Sequence, residues 1–349
     1  MATIKDVAER AGVAPSTVSY VLSGSRKISE DTRRAVRQAI DELGYHPRAS
    51  ARTLRSTRTQ VLALALPRVA GGYRAVDGRF AIGISDAARA HGYDVLLTTA
   101  REGVPGLRRI AGGRQADAAI LMAVEMEDPR IDALRELAFP TALLGRSADD
   151  SQPWTDLDWE AATALAVRTV VAAGHRDVAF LATTDHELRA RRGYAVRGVA
   201  GARKAAARTG ALVTVRESTG DMPRLPQLLR ALLCGERPPT ALVVQHVAAL
   251  PHILAAVSAE GLRVPEDLSV VAVGNLPDDV GGRELPRIEL PVEEMSAEVV
   301  RLAVETVGAH ARGVPPGPAA AGRLIAPVLL SRERVAPPRP CPLPRAARN

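Results

Sequence analysis

The chain has 349 residues, 46% of them hydrophobic, and a formal net charge of +7. This length allows two or three domains with a sizeable core, and no apolar run is long enough to span a membrane. The two cysteines, Cys234 and Cys341, are far apart and predict neither a disulfide framework nor a cysteine metal site. The N-terminus lacks the apolar segment of a secretory signal. We therefore expect a cytoplasmic protein with no membrane contact, no metal and no cofactor.

The positive charge is concentrated near the N-terminus. Residues 1–60 contain 11 Lys and Arg against 6 Asp and Glu, whereas the remaining residues contain 35 against 33. A codon bias of the genome would explain a high arginine content but not this asymmetry. A basic excess on one small segment is the pattern expected for binding to phosphate groups.

The first forty-five residues predict three short helices. Thr3 and Asp6 form a weak variant of the capping box at the start of the first helix. Gly12 ends that helix, and Pro15 suits the first position of a second one because its missing N–H would be unpaired there. Ser29 is a good N-cap for the third helix. A helix, a short glycine turn and a second helix form the architecture that lays a recognition helix in the major groove of DNA.

The segment 45–58 is basic and contains one large apolar residue, Leu54, so it cannot fold on its own but could become helical when an anion neutralises it. From Val61 onwards, strand-like runs alternate with amphipathic ones, which predicts parallel sheets with helices on both faces. The predicted strands are 61–66, 95–98, 118–122, 141–144, 178–182, 212–215, 241–244, 268–273 and 324–329. The predicted helices are 79–91, 161–173, 189–208, 247–260 and 295–311. So many strands predict two Rossmann-like lobes, followed by a disordered Pro- and Arg-rich tail.

Several sequence motifs resemble the lactose repressor and galactose repressor (LacI/GalR) family, and the resemblance covers nearly the whole chain. The motifs are Thr3-Ile-Lys-Asp-Val-Ala-Glu-Arg-Ala-Gly-Val13, Ser16-Thr-Val-Ser19, Gly44-Tyr-His-Pro47, Ala173-Gly-His-Arg-Asp-Val-Ala-Phe-Leu181, Gly193-Tyr194, Gly261-Leu-Arg-Val-Pro-Glu-Asp-Leu-Ser-Val-Val271 and Pro291-Val-Glu-Glu-Met295. The resemblance implies an N-terminal all-α helix-turn-helix domain and a hinge helix. Behind them it implies an α/β core similar to periplasmic sugar-binding proteins. It also implies a homodimeric transcriptional regulator, expected to be a repressor, that binds a palindromic operator.

We expect four segments along the chain. They are a helix-turn-helix domain at 1–46, a hinge at 47–59, a two-lobed effector-binding and dimerisation core at 60–335, and the disordered tail at 336–349. Lobe 1 is expected to comprise about 60–156 and 286–318, and lobe 2 about 157–285 and 319–335. The proline-rich tail cannot form a leucine heptad, so we expect dimers rather than tetramers.

In the family, the start and middle of the recognition helix face the bases, and here those positions hold Pro15, Ser16 and Tyr20. Pro15 offers only apolar contact, and neither hydroxyl provides the two-pronged contact of an arginine to guanine. Ala14 stands where the family has a capping Ser, and Arg48 where it has Asn. The expected DNA contacts are Thr3, Pro15, Ser16, Thr17, Ser19, Tyr20, Ser29, Arg48, Ala51, Arg52 and Leu54.

Two of these assignments leave alternatives open. Thr17 and Ser19 either contact phosphates or simply fill the helix surface. Leu54 either packs on its own domain or wedges into the minor groove, where an apolar side chain unstacks bases and bends DNA. We favour the wedge because little apolar surface lies nearby in the sequence.

The family binds a small molecule between its lobes, but several of its ligand positions differ here. His246 and Val247 replace an Asn-Asp pair, Gly274 and Asn275 replace an Asp-Asp pair, and Trp159 replaces an Asn. Groups that hold sugar hydroxyls are therefore partly missing. Either the effector differs from a typical sugar, being more apolar or anionic, or the regulator has no effector. The expected effector contacts are Phe80, Arg146, Trp159, Arg189, His246 and Asn275.

Two details of this site remain open in the sequence. Arg191 rivals Arg189 as the ligand-binding arginine, because the register before Gly193-Tyr194 is uncertain by about one residue. Trp154 and Trp159 either stack on a flat ligand or pack at an interface, which is the commoner use of Trp.

Two other classes of protein compete. An enzyme is disfavoured because the sequence has no G-x-G-x-x-G after a strand, no Walker loop and no H-E-x-x-H motif. A Gly-x-Ser sequence at Gly83 is a poor nucleophile elbow, since it lies inside a predicted helix. A periplasmic small-molecule binding protein would suit the core, but the N-terminal helices and the missing signal argue against it.

Overall fold

A computed structural model describes residues 2–23, 26–45, 58–66, 75–99, 103–218, 222–277, 285–314, 322–331 and 335–338. The chain divides into two units, Met1–Thr59 and Gln60–Asn349. In the ranges that can be described, no helix is long and apolar enough to cross a membrane.

The N-terminal unit contains α1 (Ile4–Arg10), α2 (Pro15–Ser23) and α3 (Glu30–Leu43). Thr3 and Asp6 form the predicted capping box, in which the Asp6 N–H donates to Thr3 Oγ1 and the Thr3 N–H donates to Asp6 Oδ2. The three helices enclose a small apolar core that includes Val7, Val18, Val36, Ala8, Ala39 and Tyr45. The predicted three-helix architecture is therefore confirmed.

The second unit contains two six-stranded sheets, one in each lobe. Lobe 1 carries β1 (Val61–Leu66), β2 (Asp94–Thr99), β3 (Ala118–Met122), β4 (Thr141–Leu144), β5 (Trp154–Leu157) and β11 (Gly322–Ile325). Their order across the sheet is β11-β5-β4-β3-β1-β2, and every pairing is parallel. The helices packed with this lobe are α4 (Ala75–Ala90), α5 (Gly103–Gly112), α6 (Pro129–Glu136) and α12 (Val292–Ala311).

Lobe 2 carries β6 (Asp177–Thr184), β7 (Leu212–Ser218), β8 (Ala241–Val244), β9 (Ser269–Val273), β10 (Arg287–Ile288) and β12 (Leu329–Leu330). Their order is β12-β10-β9-β8-β6-β7, and only β12 runs antiparallel to its neighbour. Its helices are α7 (Trp159–Ala172), α8 (Asp185–Arg189), α9 (Gly193–Thr209), α10 (Leu225–Leu233) and α11 (Leu250–Ala259). The predicted α/β core of two lobes is confirmed.

The lobe limits differ from those expected. Residues 287–288, expected in lobe 1, pair with β9 in lobe 2, and residues 322–325, expected in lobe 2, pair with β5 in lobe 1. The predicted strand 324–329 is in fact two strands in different sheets. The chain leaves one sheet after Ile325 and enters the other at Leu329, across a segment that contains Pro327, which has no N–H for a sheet ladder.

The predicted helix 189–208 is also wrong in its first turn. In the structure the short helix α8 ends at Arg189, a turn follows at residues 190–192, and α9 begins at Gly193. Arg191 adopts a φ of 51° in this turn, and a left-handed residue cannot continue a right-handed helix. The turn delivers backbone groups to lobe 1, because the Arg191 carbonyl accepts from the Met126 N–H and the Gly193 N–H donates to the Val124 carbonyl.

Helices α7 and α9 pack unusually closely because glycines face α7. A Cβ atom at Gly201 would overlap the Glu160 carbonyl oxygen and Thr163 Oγ1. Buried Thr163 uses this proximity, since its hydroxyl donates to the Gly198 carbonyl at 2.8 Å. The close approach fixes the position of α9 and of the residues at its start.

The structure describes the first three residues of the expected disordered tail, 336–338, and corrects that prediction for them. The Ala336 carbonyl accepts from Ser269 Oγ at 3.1 Å and lies 2.8 Å from His175 Nε2. His175 is buried, and burial lowers the pKa of its imidazole. Pro338 packs near Gly174. Residues 336–338 are therefore held against lobe 2, while 339–349 lie outside the described residues.

We expect Gly201→Ala to lower the free energy of unfolding by about 1–3 kcal/mol, because the added methyl group has no room between α7 and α9. The matched control is Gly112→Ala at the end of α5, where a Cβ atom meets nothing within 4 Å. Urea unfolding of both variants measures the difference. Equal effects of the two substitutions would refute the close-packing explanation.

Candidate functional site

The exposed start of α2 is the first candidate site. Pro15 and Ser16 are exposed at its first turn, and Val18 is fully buried on the opposite face. Tyr20 is half-buried, and the Arg26 guanidinium lies 5.7 Å from the centre of its ring. A cation over the ring restricts the phenol and leaves positive charge beside it. The surface is suited to contact with phosphates and to a few polar or apolar contacts with bases.

The other expected DNA contacts fall into two groups. Thr3 and Ser29 are exposed, and each accepts a backbone N–H as an N-cap, from Asp6 and Thr32 respectively. Thr17 and Ser19 are half-buried on α2. The remaining predictions, Arg48, Ala51, Arg52 and Leu54, lie outside the described residues.

The second candidate site is a cavity of about 190 Å³ between the two lobes. Four of the six expected effector contacts line it, namely Phe80, Trp159, His246 and Asn275. Much of the remaining wall is apolar and includes Met122, Val124, Leu144, Val273, Leu290 and Met295. Such a cavity, with an apolar wall and a few polar groups, is typical of small-molecule sites.

A buried polar network centred on Glu187 forms part of the cavity wall. Glu187 Oε1 accepts from Tyr194 Oη at 2.5 Å and from Arg192 Nη1 at 3.2 Å, while Oε2 accepts from the Thr184 N–H. The Tyr194 ring in turn lies 5.7 Å from Trp159, with the planes tilted by 47°. The network therefore orients the aromatic side of the cavity, because the Glu187 carboxylate accepts from both Arg192 and Tyr194.

Two cavity oxygens lack a hydrogen-bond partner among the described residues. These oxygens are Thr183 Oγ1 and Gln245 Oε1, and both side chains are buried. Gln245 Nε2 donates to the Tyr194 carbonyl at 2.9 Å, which fixes the amide so that Oε1 remains free to accept. A buried acceptor without a hydrogen bond raises the free energy of the protein. A ligand whose hydroxyl or N–H donates to these oxygens would therefore bind more tightly.

Asp156 adds a buried carboxyl to the cavity. Trp159 Nε1 donates to its Oδ1 at 3.0 Å, and Arg197 Nη1 lies 4.0 Å from its Oδ2. Burial raises the pKa of this carboxyl to about 7, although the hydrogen bond from Trp159 and the charge of Arg197 act in the opposite direction. Asp77, also buried, is another acid in the wall.

His246 and Asn275 both line the cavity but are engaged within the protein. His246 Nδ1 lies 2.7 Å from Ser218 Oγ. Asn275 Oδ1 accepts from the Leu290 N–H at 2.8 Å and its Nδ2 donates to the Leu290 carbonyl at 3.4 Å. Asn275 thus holds the segment that carries the chain back to lobe 1.

The structure corrects the predicted arginines. Arg189 is exposed, pairs with Asp185 and does not line the cavity. Its rival Arg191 is also outside, 3.6 Å from Glu127. The buried arginine of this turn is Arg192, which pairs with Glu187. Each arginine is displaced from its expected place because the turn interrupts the helix that the sequence predicted.

Arg146 and Trp154 also lie apart from the cavity. The Arg146 guanidinium is 5.0 Å from the centre of the Trp154 ring, and Trp154 is part of the lobe 1 core. Trp154 therefore packs inside its lobe, whereas Trp159 lines the cavity.

Sequence reasoning missed several polar groups in the cavity wall. They are Asp77, Asp156, Thr183, Glu187, Tyr194 and Gln245. A signal existed for two of them, since Thr183 lies at the carboxyl end of the parallel strand β6 and Gln245 directly follows β8, and ligands bind at this end of such sheets. In the described ranges, no group of three His, Cys, Asp or Glu side chains could hold a metal ion.

The sequence of the chain matches known families of proteins. Residues 3–48 match the family described as "Bacterial regulatory proteins, lacI family", and residues 167–326 match "Periplasmic binding protein-like domain". The HTH-type transcriptional repressor PurR of Erwinia tasmaniensis is 30% identical over 79% of this chain and 81% of its own length. The chain belongs to the LacI family of bacterial regulatory proteins, which confirms the resemblance seen in the sequence.

Two further similarities define how far the match extends. The HTH-type transcriptional regulator MalR of Streptococcus pneumoniae is 34% identical over 51% of this chain, and the match spans 56% of that protein. A crystal structure of the Lac repressor dimer bound to operator and the anti-inducer ONPF has a TM-score of 0.79 and 23% identity, covering 96% of this chain and 99% of that one. The latter similarity establishes the fold.

We expect Asp156→Asn to stabilise the protein increasingly as the pH rises. The folded protein keeps a proton on Asp156 up to about pH 7, whereas the unfolded chain releases it near the ordinary pKa of 3.8. The free energy of unfolding therefore falls as the pH rises between these values. The Asn side chain cannot ionise, so the variant does not lose this stability. The Tm of the variant relative to the native protein should rise by a few degrees from pH 5 to about pH 8.

Asp94→Asn at an exposed position is the control for this pH series. A Tm difference for Asp156→Asn that stays constant with pH, or a similar trend in the control, would show that the Asp156 carboxyl is not the titrating group.

Proposed function

We propose that this protein is a sequence-specific DNA-binding transcriptional regulator that acts as a repressor. The observation that carries the proposal is the helix-turn-helix unit, in which α2 exposes its first turn while its apolar face is buried. Its relatives' names support the same function. The charge excess of residues 1–60 provides the attraction to phosphates.

Leu54 and the basic residues around it complete the proposed DNA contact. The reading positions of α2 hold no arginine, so direct readout of bases by this helix is weak. An apolar wedge in the minor groove would add specificity through the deformability of the operator. Arg48, Ala51, Arg52 and Leu54 are proposed to lie in this hinge.

The interlobe cavity is proposed to bind a neutral or cationic effector with hydrogen-bond donors. The free acceptors on Thr183 and Gln245 and the carboxyls of Asp77, Asp156 and Glu187 favour such a ligand over an anion. This argues against the anionic effector considered from the sequence. A ligand that binds one arrangement of the lobes better than another would shift the population that holds DNA.

The test is selection of bound DNA from a random pool by the full-length protein. We expect a palindromic site whose affinity falls by about a hundredfold or more between about 50 and about 200 mM salt, because several phosphates are neutralised. Tyr20→Ala should weaken binding to the selected site by about tenfold, the cost of roughly one lost base contact. Gln38→Ala on the exposed side of α3 should leave it unchanged.

Absence of an enriched sequence, or affinity that does not respond to salt, would contradict the proposal. The selected duplex then serves to screen neutral polyhydroxylated and cationic metabolites for altered binding. A regulator that binds the duplex but responds to none of them would support effector-independent regulation, the remaining alternative.

A homodimer is proposed from two observations in addition to the expected palindromic operator. Ile82 on α4 and Leu97 on the edge strand β2 are 66% and 53% exposed, so lobe 1 presents large apolar side chains. The related Lac repressor structure is a dimer bound to operator. Two copies are also needed to present two recognition helices to two half-sites.

We expect Ile82→Asp to convert the dimer to a monomer, because a carboxylate buried without a partner at an interface is strongly unfavourable. Light scattering after size-exclusion chromatography measures the mass. Val328→Asp, at a residue 64% exposed between β11 and β12, is the matched control and should remain dimeric. A dimeric Ile82→Asp protein would place the interface elsewhere.

A further inference from the structure

A second hollow, distinct from the interlobe cavity, lies where α7 and α9 meet lobe 1. Its volume is about 300 Å³. Five cationic side chains line it, namely Arg146, Arg168, Arg197, Lys204 and Arg208, together with Asp158 and Glu160. Trp159, Ala161, Ala164 and Leu324 supply its apolar lining. We call this feature the basic hollow.

The helix pair explains why the charges converge. Arg197, Lys204 and Arg208 recur on α9 at positions that share one helical face, and Arg168 stands on the facing helix α7. The glycine contact at Gly201 brings the two helices together, so their cationic side chains flank a narrow groove. Arg146 and Leu324 close it from lobe 1.

The two acids of the basic hollow are already engaged. Asp158 Oδ1 accepts from the Ala161 N–H as the N-cap of α7. Glu160 Oε1 accepts from Lys204 Nζ at 2.5 Å. Among the described residues, Arg168 and Arg208 form no ion pair, and the Arg146 guanidinium contacts the Trp154 ring rather than a carboxylate. The positive charges of Arg146, Arg168 and Arg208 therefore have no carboxylate partner among the described residues.

Arg197 lies close to Arg146, so two cationic side chains of the basic hollow repel each other. Its Nη1 and Nη2 donate to the carbonyl oxygens of Arg146 and Ser147 at 2.7 and 2.9 Å, which places a partly buried guanidinium beside Arg146. Burial, and then the charge of Arg146, lower the pKa of Arg197. An anion between these cations would remove the repulsion that they impose on each other.

We propose that the basic hollow binds a phosphate-bearing small molecule and thereby links the two lobes. An arginine guanidinium can donate two parallel hydrogen bonds to a phosphate group. A doubly charged phosphate also compensates more of the local positive charge than a single carboxylate does. The apolar lining accommodates the organic part of such a ligand. The site contains residues from both lobes, so occupancy favours the closed contact of Arg197 with the lobe 1 loop that follows β4.

The test is isothermal titration of the full-length protein with pyrophosphate and with inorganic phosphate at constant ionic strength. We expect one pyrophosphate per chain and tighter binding than for inorganic phosphate, because two phosphate groups reach more of the cationic side chains. The double variant Arg168→Ala/Arg208→Ala should weaken pyrophosphate binding by about tenfold or more, through loss of charge-assisted contacts. Neither residue is buried, so the fold should be retained.

Arg203→Ala is the matched control, because Arg203 is an exposed arginine of α9 that does not line the basic hollow. Its affinity for pyrophosphate should equal that of the native protein. Arg146→Ala should weaken binding, since the lobe 1 contact is lost. We expect pyrophosphate to raise the Tm of the native protein but not that of this variant. No measurable binding, binding unaffected by the double variant, or equal weakening by Arg203→Ala would overturn the proposal.

Discussion

The chain crosses between the two sheets of the core three times, and the arrangement of the two lobes depends on these crossings. It crosses at Asp158 between β5 and α7, at residues 289–291 between β10 and α12, and at residues 326–328 between β11 and β12. Each crossing is only one to three residues long. Because all three connections are short, the lobes can rotate about the crossings but cannot slide far apart, which is the geometry of a hinge.

The crossings also determine which residues meet in the cavity. Asp156 precedes the first crossing and Trp159 follows it, so their hydrogen bond spans the change of lobe. Asn275 binds both backbone groups of Leu290 at the second crossing. A rotation of the lobes must therefore alter the cavity wall. A ligand that contacts this wall can favour one arrangement of the lobes over another.

Much of this architecture could be predicted because buried parallel strands have continuous apolar sequences. Strands such as β3 and β8 fall at their predicted positions for that reason. The strand β5 contains the polar residues Thr155 and Asp156, and β10 has only two residues, so neither shows a continuous apolar run. The strands β11 and β12 were predicted as one because periodicity does not show which sheet a residue joins. The cavity polar groups were missed where they depend on tertiary contact, as in Glu187, which resembles an ordinary capping residue.

The arrangement around Asp156 brings the two proposed ligand sites into one electrostatic system. Its carboxyl lines the interlobe cavity and faces Arg197, which lines the basic hollow. Loss of the Asp156 proton favours a charged Arg197, and a cationic or hydroxylated ligand beside Asp156 favours its ionised form. An anion in the basic hollow competes with Asp156 for the same guanidinium. The two ligands would therefore be coupled through the free energy of this one ion pair, and thermodynamic reciprocity requires each to change the affinity of the other by the same factor.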